Sequence, residues 1–199
     1  MTAMTATTDA EIIAATTRWL ERAVIGLNLC PFAKAPHVAG RIRSVVSHAT
    51  SAEGVLEDLA HEAQHLLNTA PDEVETTLLI APDVEDLANF LSFNDLLGDA
   101  EALLEELDFE GELQIASFHP QYQFAGTRKL DVTNYTNRAP YPTLHLLREL
   151  SVSNAVDASP KDIAEVIVER NLATMRKLGL GGWRTLFAEE VTAPAAAPK

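Results

Sequence analysis

The pattern that most constrains the fold is an alternation of short strand-like runs with long helical patterns. Apolar or β-branched runs occur at 41–48, 75–81 and 112–118, and between them apolar residues recur every three or four positions. Strands that alternate with helices are joined by crossover connections, so at least part of the sheet is expected to be parallel. The sequence therefore predicts a single layered α/β domain, in which a small, mostly parallel three-stranded sheet packs against helices.

A second arrangement is compatible with the same pattern. A ferredoxin-like α+β domain also combines strands with helices, but it pairs its strands antiparallel. Parallel strands would bring His48, Asp83 and His119 to one edge of the sheet, the edge at which open α/β sheets bind ligands. The antiparallel arrangement would scatter these three residues.

The chain has low-complexity segments at both ends. Residues 1–8 are rich in Thr and Ala, and residues 188–199 are rich in Ala and Pro. Neither segment can contribute to a hydrophobic core, so both are predicted to be disordered. Residues 9–187 are predicted to form one globular domain, which is a common size for a single core.

Net charge and hydropathy narrow the class of partner. The chain carries a net charge of −14, and so acidic a protein is poorly suited to bind nucleic acid or anionic membranes. No apolar run approaches the ~20 residues that span a bilayer, and the N-terminal residues show no signal or transit pattern. A single cysteine, Cys30, allows no intramolecular disulfide. We therefore expect a cytoplasmic protein that binds neither nucleic acid nor membrane.

Residues 118–148 form a basic, aromatic segment within this acidic chain. The segment holds all three tyrosines, and its four basic residues and one acidic residue give it a charge of +3 against a total of −14. A positive surface on an acidic protein is suited to an anion, and an ordered loop of this length is usually functional. We expect this segment to bind a small carboxylate or phosphate.

Three residues of the basic segment are candidates for catalysis. His119 follows the third predicted strand, where a histidine can act as an acid, a base or a metal ligand, and Tyr122 is close to it. His145 is predicted to lie on a helix from Pro142 to Leu150 and to face the same pocket. The structural alternatives are that His119 only hydrogen-bonds a loop carbonyl and that His145 is a hydrogen-bonded core residue.

Four further residues of the segment are candidates for binding the anion. Asn134, Asn137 and Arg138 precede Pro142, and Arg148 lies within the predicted helix. A helix that begins without a capping side chain leaves its first N–H groups free for an anion. In the alternative interpretation one asparagine caps the helix and the prolines stiffen a long connection.

Two other motifs receive a structural interpretation. Cys30 follows the predicted end of the first helix, where the helix dipole opposes thiolate formation, so we expect a small core residue. Residues 61–65 read His-Glu-Ala-Gln-His, which matches the metalloprotease motif literally. No third ligand of the usual kind follows on that helix, and its apolar stripe would leave both histidines facing solvent. We therefore predict no metal site.

Several longer motifs resemble those of one family. They cover residues 26–34 (Gly-Leu-Asn-Leu-Cys-Pro-Phe-Ala-Lys), 75–80, 116–127 and 134–149. Together they resemble the bacterial family known as domain of unknown function 1415, over a stretch from Arg18 to Trp183. The resemblance implies a one-domain bacterial protein with no assigned activity, and it supplies no catalytic residues.

Two classes of function are compatible with these observations. The first is an enzyme that acts on a small anionic substrate with His119 as acid, base or metal ligand. The second is a non-catalytic module that binds a metabolite or a partner protein. An enzyme needs its histidine in a concave pocket with a second polar group within hydrogen-bond reach, whereas a module needs only a complementary surface. The sequence does not specify whether a cofactor is bound, and it does not specify the oligomeric state.

Overall fold

The computed structural model describes residues 7–188 of the chain. The terminal segments predicted to be disordered, 1–8 and 188–199, lie outside the described residues except for residues 7, 8 and 188. The strands are β1 (Ile42–Val46), β2 (Thr76–Ile80), β3 (Leu113–Phe118) and β4 (Thr143–Arg148). The α-helices are α1 (Asp9–Trp19), α2 (Lys34–Val38), α3 (Ala52–Asn68), α4 (Phe90–Glu106), α5 (Glu149–Asp157) and α6 (Ile163–Leu186).

The four strands form one mixed sheet with the order β1-β2-β4-β3. Strands β1 and β2 are parallel, whereas β4 runs antiparallel to both of its neighbours, β2 and β3. The mixed α/β class is confirmed. The prediction of a three-stranded, mostly parallel sheet is wrong in the number of strands and in their pairing, and the parallel pair β1–β2 also distinguishes the sheet from the antiparallel ferredoxin-like alternative.

The fourth strand comes from the segment that was predicted to be a helix. Strand β4 pairs with a neighbour on each side, and its Leu144 and Leu146 are buried on one face while His145 lies on the other. A central strand that is covered on both faces is apolar almost without interruption, so its periodicity does not distinguish it from a buried helix. The helix predicted from Pro142 to Leu150 is therefore wrong.

Helices α3 and α4 pack together over one face of the sheet. Each of them connects two strands, and together with the sheet they enclose the larger hydrophobic core. The large helical side chains buried in it include Val55, Leu59, Leu66, Phe93 and Leu96. None of the described helices is both long and apolar enough to cross a membrane.

The histidines of the metalloprotease-like motif lie on the outer side of α3. His61 and His65 are exposed, whereas Ala63 between them is completely buried against the core. Within residues 7–188 no group of three or more potential metal-ligating side chains is close enough to hold an ion.

The opposite face of the sheet, here called the cavity face, is covered in part by the end of the first helix, the segment 30–36 and α5. Helix α1 continues into a π-helical turn, Leu20–Ile25, and this stretch buries Trp19, Leu20 and Val24. Trp183 of α6 packs against the same cluster. The covering is incomplete over the middle of the sheet, and the space that remains is the cavity that forms the candidate site.

Candidate functional site: a cavity on the sheet face

A cavity of about 540 Å³ lies between the sheet and the elements that cover its cavity face. Its volume is within the roughly 300–1,000 Å³ that small-molecule pockets occupy. Side chains from all four strands form the floor, and the walls come from the π-helical turn, the segment 30–36 and α5. Among the lining residues are Trp19, Leu20, Cys30, Phe32, Ile42, Thr76, Leu78, Gln114, Ala116, Phe118, His145 and Val152.

The wall opposite the floor depends on a tight turn after the first helix. Gly26 ends the π-helical turn, and a Cβ atom at this position would clash with a carbonyl oxygen of the preceding turn, so glycine is required. Asn28 follows with a φ of 54°, in the left-handed region that asparagine tolerates better than most residues. Asn171 of α6 donates to the Leu29 carbonyl at 2.8 Å. These features bring the segment 30–36 over the cavity.

His145 lies in the middle of the cavity floor. Its neighbours across the sheet are Leu78 on β2 and Ala116 on β3, and the small side chain of Ala116 leaves space beside the imidazole. Nε2 of His145 lies 2.7 Å from Oγ1 of Thr76. The other ring nitrogen, Nδ1, has no hydrogen-bond partner among the described residues, and His145 lines the cavity.

Burial determines the charge of His145. Desolvation lowers the pKa of its imidazole from 6.5 to about 4. The ring is therefore neutral at pH 7, with one N–H donor and one nitrogen that accepts a hydrogen bond. A group with so low a pKa binds a proton weakly, so its ordinary role in the cavity is that of an acceptor.

Cys30 borders two cavities. The second cavity, of about 470 Å³, lies between the π-helical turn, α6 and the segment that follows β3. Val24, Cys30 and Phe118 line both spaces. The thiol is partly buried, so it lies at a boundary between cavities and not in the close-packed core. Whether it is reactive stays a prediction.

His119 is fully buried, and its ring packs against Phe93. Its Nε2 donates to the Leu87 carbonyl at 2.8 Å, and its Nδ1 accepts from the backbone N–H of Gln121 at 2.9 Å. Burial lowers its pKa; the bond to Leu87 acts in the opposite direction, and the nearby charge of Arg138 adds to the lowering. Both ring nitrogens are engaged by the protein, which corresponds to the structural alternative for this residue.

The two asparagines of the basic segment hold its loop together. Asn134 is completely buried, and its Oδ1 accepts from the backbone N–H of Phe124 at 3.0 Å and from the Thr127 hydroxyl at 2.8 Å. Its Nδ2 donates to a loop carbonyl at 2.9 Å. Asn137 borders the smaller cavity, and its Oδ1 accepts from the preceding threonine hydroxyl at 3.0 Å.

The arginines predicted to bind an anion donate to backbone carbonyls. Arg138 donates to Tyr122 at 3.1 Å and to Lys129 at 2.6 Å, and its guanidinium carbon lies 4.2 Å from the ring centre of Tyr135. Arg148 donates to three carbonyl oxygens at and beyond the end of α3, at distances of 2.6 to 3.1 Å. Both side chains therefore stabilise the fold of their surroundings.

The structure brings two of the predicted site residues, His145 and Arg148, to the larger cavity, but it does not bring the other five there. His145 lies in the larger cavity and Asn137 at the smaller one, while His119 and Tyr122 pack among phenylalanines, where burial raises the pKa of the tyrosine. The helix N-terminus that was expected at Pro142 to hold an anion does not exist, so that part of the prediction is wrong. The functional roles assigned to the individual residues stay predictions.

The sheet edge predicted to bind a ligand is formed only in part. His48 Nδ1 lies 3.7 Å from Asp83 Oδ2, so the ends of β1 and β2 meet as expected. His48 also contacts Asp9 at 3.1 Å, which ties α1 to this edge. His119, at the end of β3, is buried and bonded as described above, and it does not join them.

Thr76 is the site residue that the sequence analysis missed. It begins β2 and is separated from His145 by 69 positions, so only the pairing of β2 with β4 brings the two together. The sequence of β4 gives no clear period of two, because Leu146 and Leu147 are adjacent, so it does not signal this pairing.

The fold and the cavity define a mixed α/β protein whose sheet floor carries one neutral histidine beneath a mainly apolar space. The chain belongs to the family described as protein of unknown function (DUF1415), whose model matches residues 11–185. This confirms the resemblance seen in the sequence motifs. Comparison with curated proteins gives no match, and comparison with solved structures gives none either. Bacterial origin and cytoplasmic location stay predictions.

Proposed function

We propose that the protein binds a small, mostly apolar molecule in the 540 Å³ cavity and that His145 makes the polar contact with it. The observation that carries the proposal is the free Nδ1 of a neutral histidine at the floor of a mainly apolar cavity. Small-molecule sites combine apolar walls with a few polar groups that fix the orientation of the ligand. This is the metabolite-binding alternative suggested by the sequence.

The size of the cavity supports the same proposal. Protein interiors are packed as densely as organic crystals, and voids larger than a water molecule are few. Side chains that border such a space lack partner atoms on one side and lose dispersion contacts. A ligand that fills the space would restore those contacts, so its binding would stabilise the folded chain.

An enzyme acting on an anionic substrate is the second candidate. The basic segment favours it, because its surface carries Arg128 and Lys129, which are both exposed. The hydrogen bonds of two arginines weigh against it, because the guanidinium groups of Arg138 and Arg148 already donate to backbone carbonyls. The low pKa of His145 also makes that residue a poor general base near neutral pH.

A cavity-filling variant tests the proposed function. Ala116→Phe would place a large side chain beside His145 and occupy space that the ligand needs. We would measure thermal unfolding with a panel of neutral bicyclic compounds, including 2-naphthol. A ligand at 100 times its Kd stabilises the folded state by about 2.7 kcal/mol, which raises Tm by several degrees. We expect this shift in the wild type and its loss in Ala116→Phe.

Leu91→Phe is the matched control, because Leu91 is 71% exposed on α4, which packs on the other face of the sheet. It should keep the full ligand-induced shift. Equal shifts in Ala116→Phe and the wild type would show that the compounds bind elsewhere and would contradict the proposal.

A further inference from the structure

We infer that Thr76 fixes the tautomer of His145, and that the cavity therefore selects neutral molecules that present a hydrogen-bond donor, such as a hydroxyl group, to Nδ1. The inference deepens the proposed function and rests on it. It assigns Thr76 as a positioning residue, which determines ligand selectivity through His145.

The position of the Thr76 hydroxyl proton follows from its two contacts. Oγ1 of Thr76 lies 2.5 Å from the carbonyl oxygen of Leu146 and 2.7 Å from Nε2 of His145. A carbonyl oxygen only accepts, and two oxygens this close repel each other unless a proton lies between them. The single hydroxyl proton of Thr76 is therefore donated to Leu146.

The tautomer of His145 follows from the same contacts. Because the Thr76 hydroxyl donates its single proton to the carbonyl oxygen, its own oxygen can only accept a hydrogen bond from the imidazole. Nε2 must carry the ring proton, which leaves Nδ1 with a lone pair in the neutral ring. His119 has the same tautomer, but its Nδ1 already accepts from the Gln121 N–H, so only His145 keeps an available acceptor among these two rings.

This arrangement discriminates between ligand groups of similar size. A hydroxyl or ring N–H group can donate a hydrogen bond to Nδ1. An ether, a fluorine or a carboxylate has no donor, so its lone pairs would repel the lone pair of Nδ1. Protonation of the ring would relieve the conflict, but burial lowers the pKa of His145 to about 4. Sites built to pair a hydroxyl group reject analogues that lack it, because a buried polar group is then left unpaired.

Nuclear magnetic resonance of the ligand-free protein tests the tautomer without any ligand. Long-range ¹H–¹⁵N correlations of the histidine rings, assigned with His145→Leu, should show Nε2 protonated and Nδ1 unprotonated in His145 at pH 7. Thr76→Ser should keep this state, and Thr76→Val should give a mixture of tautomers. A proton on Nδ1 in the wild type, or an unchanged tautomer in Thr76→Val, would overturn the inference.

The selectivity is tested with 2-naphthol and 2-fluoronaphthalene, which are similar in size and differ in the donor. Trp19 lines the cavity and Trp183 does not, so quenching of Trp19 fluorescence in a Trp183→Phe background reports binding. We expect a preference for 2-naphthol of about tenfold, the effect of one hydrogen bond. Thr76→Ser should keep this preference, while Thr76→Val and His145→Leu should reduce it towards one.

The outcomes separate the inference from the proposed function. Equal affinity for both compounds, with loss of binding in Ala116→Phe, would overturn the donor selectivity and leave the cavity as a binding site. Absence of binding by either compound, with the expected His145 tautomer, would contradict the proposed function and leave the tautomer assignment in place.

Discussion

The hydroxyl oxygen of Thr76 lies 2.7 Å from Nε2 of His145, and this contact joins β2 to β4 across the floor of the cavity. The two residues are on diagonal positions of an antiparallel pair, so the sheet itself fixes their geometry. A ligand-facing nitrogen held by a strand is positioned more rigidly than one on a loop.

Replacement of Thr76 by Val should destabilise the protein by about 1–3 kcal/mol, because it leaves the buried N–H of His145 without an acceptor. The measurement is the free energy of unfolding in urea. Thr76→Ser, which keeps the hydroxyl group, should lose less than about 1 kcal/mol. Equal losses in the two variants would show that the methyl group, and not the hydroxyl, supports this part of the sheet.

The stability of the protein should fall as pH decreases from 6.5 to about 4, because the folded state holds His145 at a pKa of about 4 against 6.5 when unfolded. Between these values the unfolded chain binds more protons, so the stabilisation is complete above pH 6.5 and is lost on acidification. The difference of about 2.5 between these two pKa values corresponds to roughly 3 kcal/mol. His119 contributes in the same direction, since its pKa is also lowered.

The variant His145→Leu isolates the contribution of His145 to this pH dependence. Unfolding free energies at pH 7 and pH 4.5 should differ less in the variant than in the wild type, while the contribution of His119 remains in both. The same difference in both proteins would mean that His145 is not the group that titrates.

Asn134→Ala should destabilise the protein by about 2–4 kcal/mol, because a fully buried amide with three hydrogen bonds is removed and its partners are left unpaired. Chemical denaturation measures the loss. Gln121→Ala is the control: its exposed side chain donates to one carbonyl and accepts from Lys129 at the surface, so we expect a loss below about 1 kcal/mol. A small effect of Asn134→Ala would show that these hydrogen bonds do not support the fold, and would favour a ligand-binding role for Asn134.

Ligand binding should slow the alkylation of Cys30, because the thiol borders the proposed cavity and is the chain's single cysteine. Iodoacetamide labelling followed by mass spectrometry gives the rate with and without 2-naphthol. The rate should fall in proportion to the occupied fraction, and Ala116→Phe should show no protection. Protection that persists in Ala116→Phe would place the compound in the smaller cavity that Cys30 also borders.

Regular amphipathic elements were predictable from the sequence. The capping-box pair Thr50 and Glu53 and the apolar spacing that follows predict a helix from residue 50 to 67. Helix α3 lies at Ala52–Asn68, and its cap is Ser51, whose hydroxyl accepts from the Gly54 N–H at 3.2 Å. Strands β1, β2 and β3 were also predicted near their observed positions. An amphipathic helix with one buried face has apolar residues at helical spacing, and a β-branched strand has a characteristic composition. Both signals can be read from the sequence.

Strand β4 and the site could not be predicted in the same way. A strand buried on both faces resembles a helix in composition, and the error at β4 carried His145 and Arg148 onto a helix that does not exist. The roles of His119 and Arg138 depend on whether their nitrogen atoms are already bonded. The sequence specifies residue types but not those partners, and it does not show that Thr76 lies beside His145.

The most direct test of the account follows the ring nitrogens of His145 and His119 while 2-naphthol is added to the protein. We expect the Nδ1 resonance of His145 to shift as it accepts a hydrogen bond and to saturate with the same Kd as the Trp19 fluorescence change, while the resonances of His119 remain unchanged. A saturated fluorescence change with no response at His145 would contradict it, and so would a shift confined to His119.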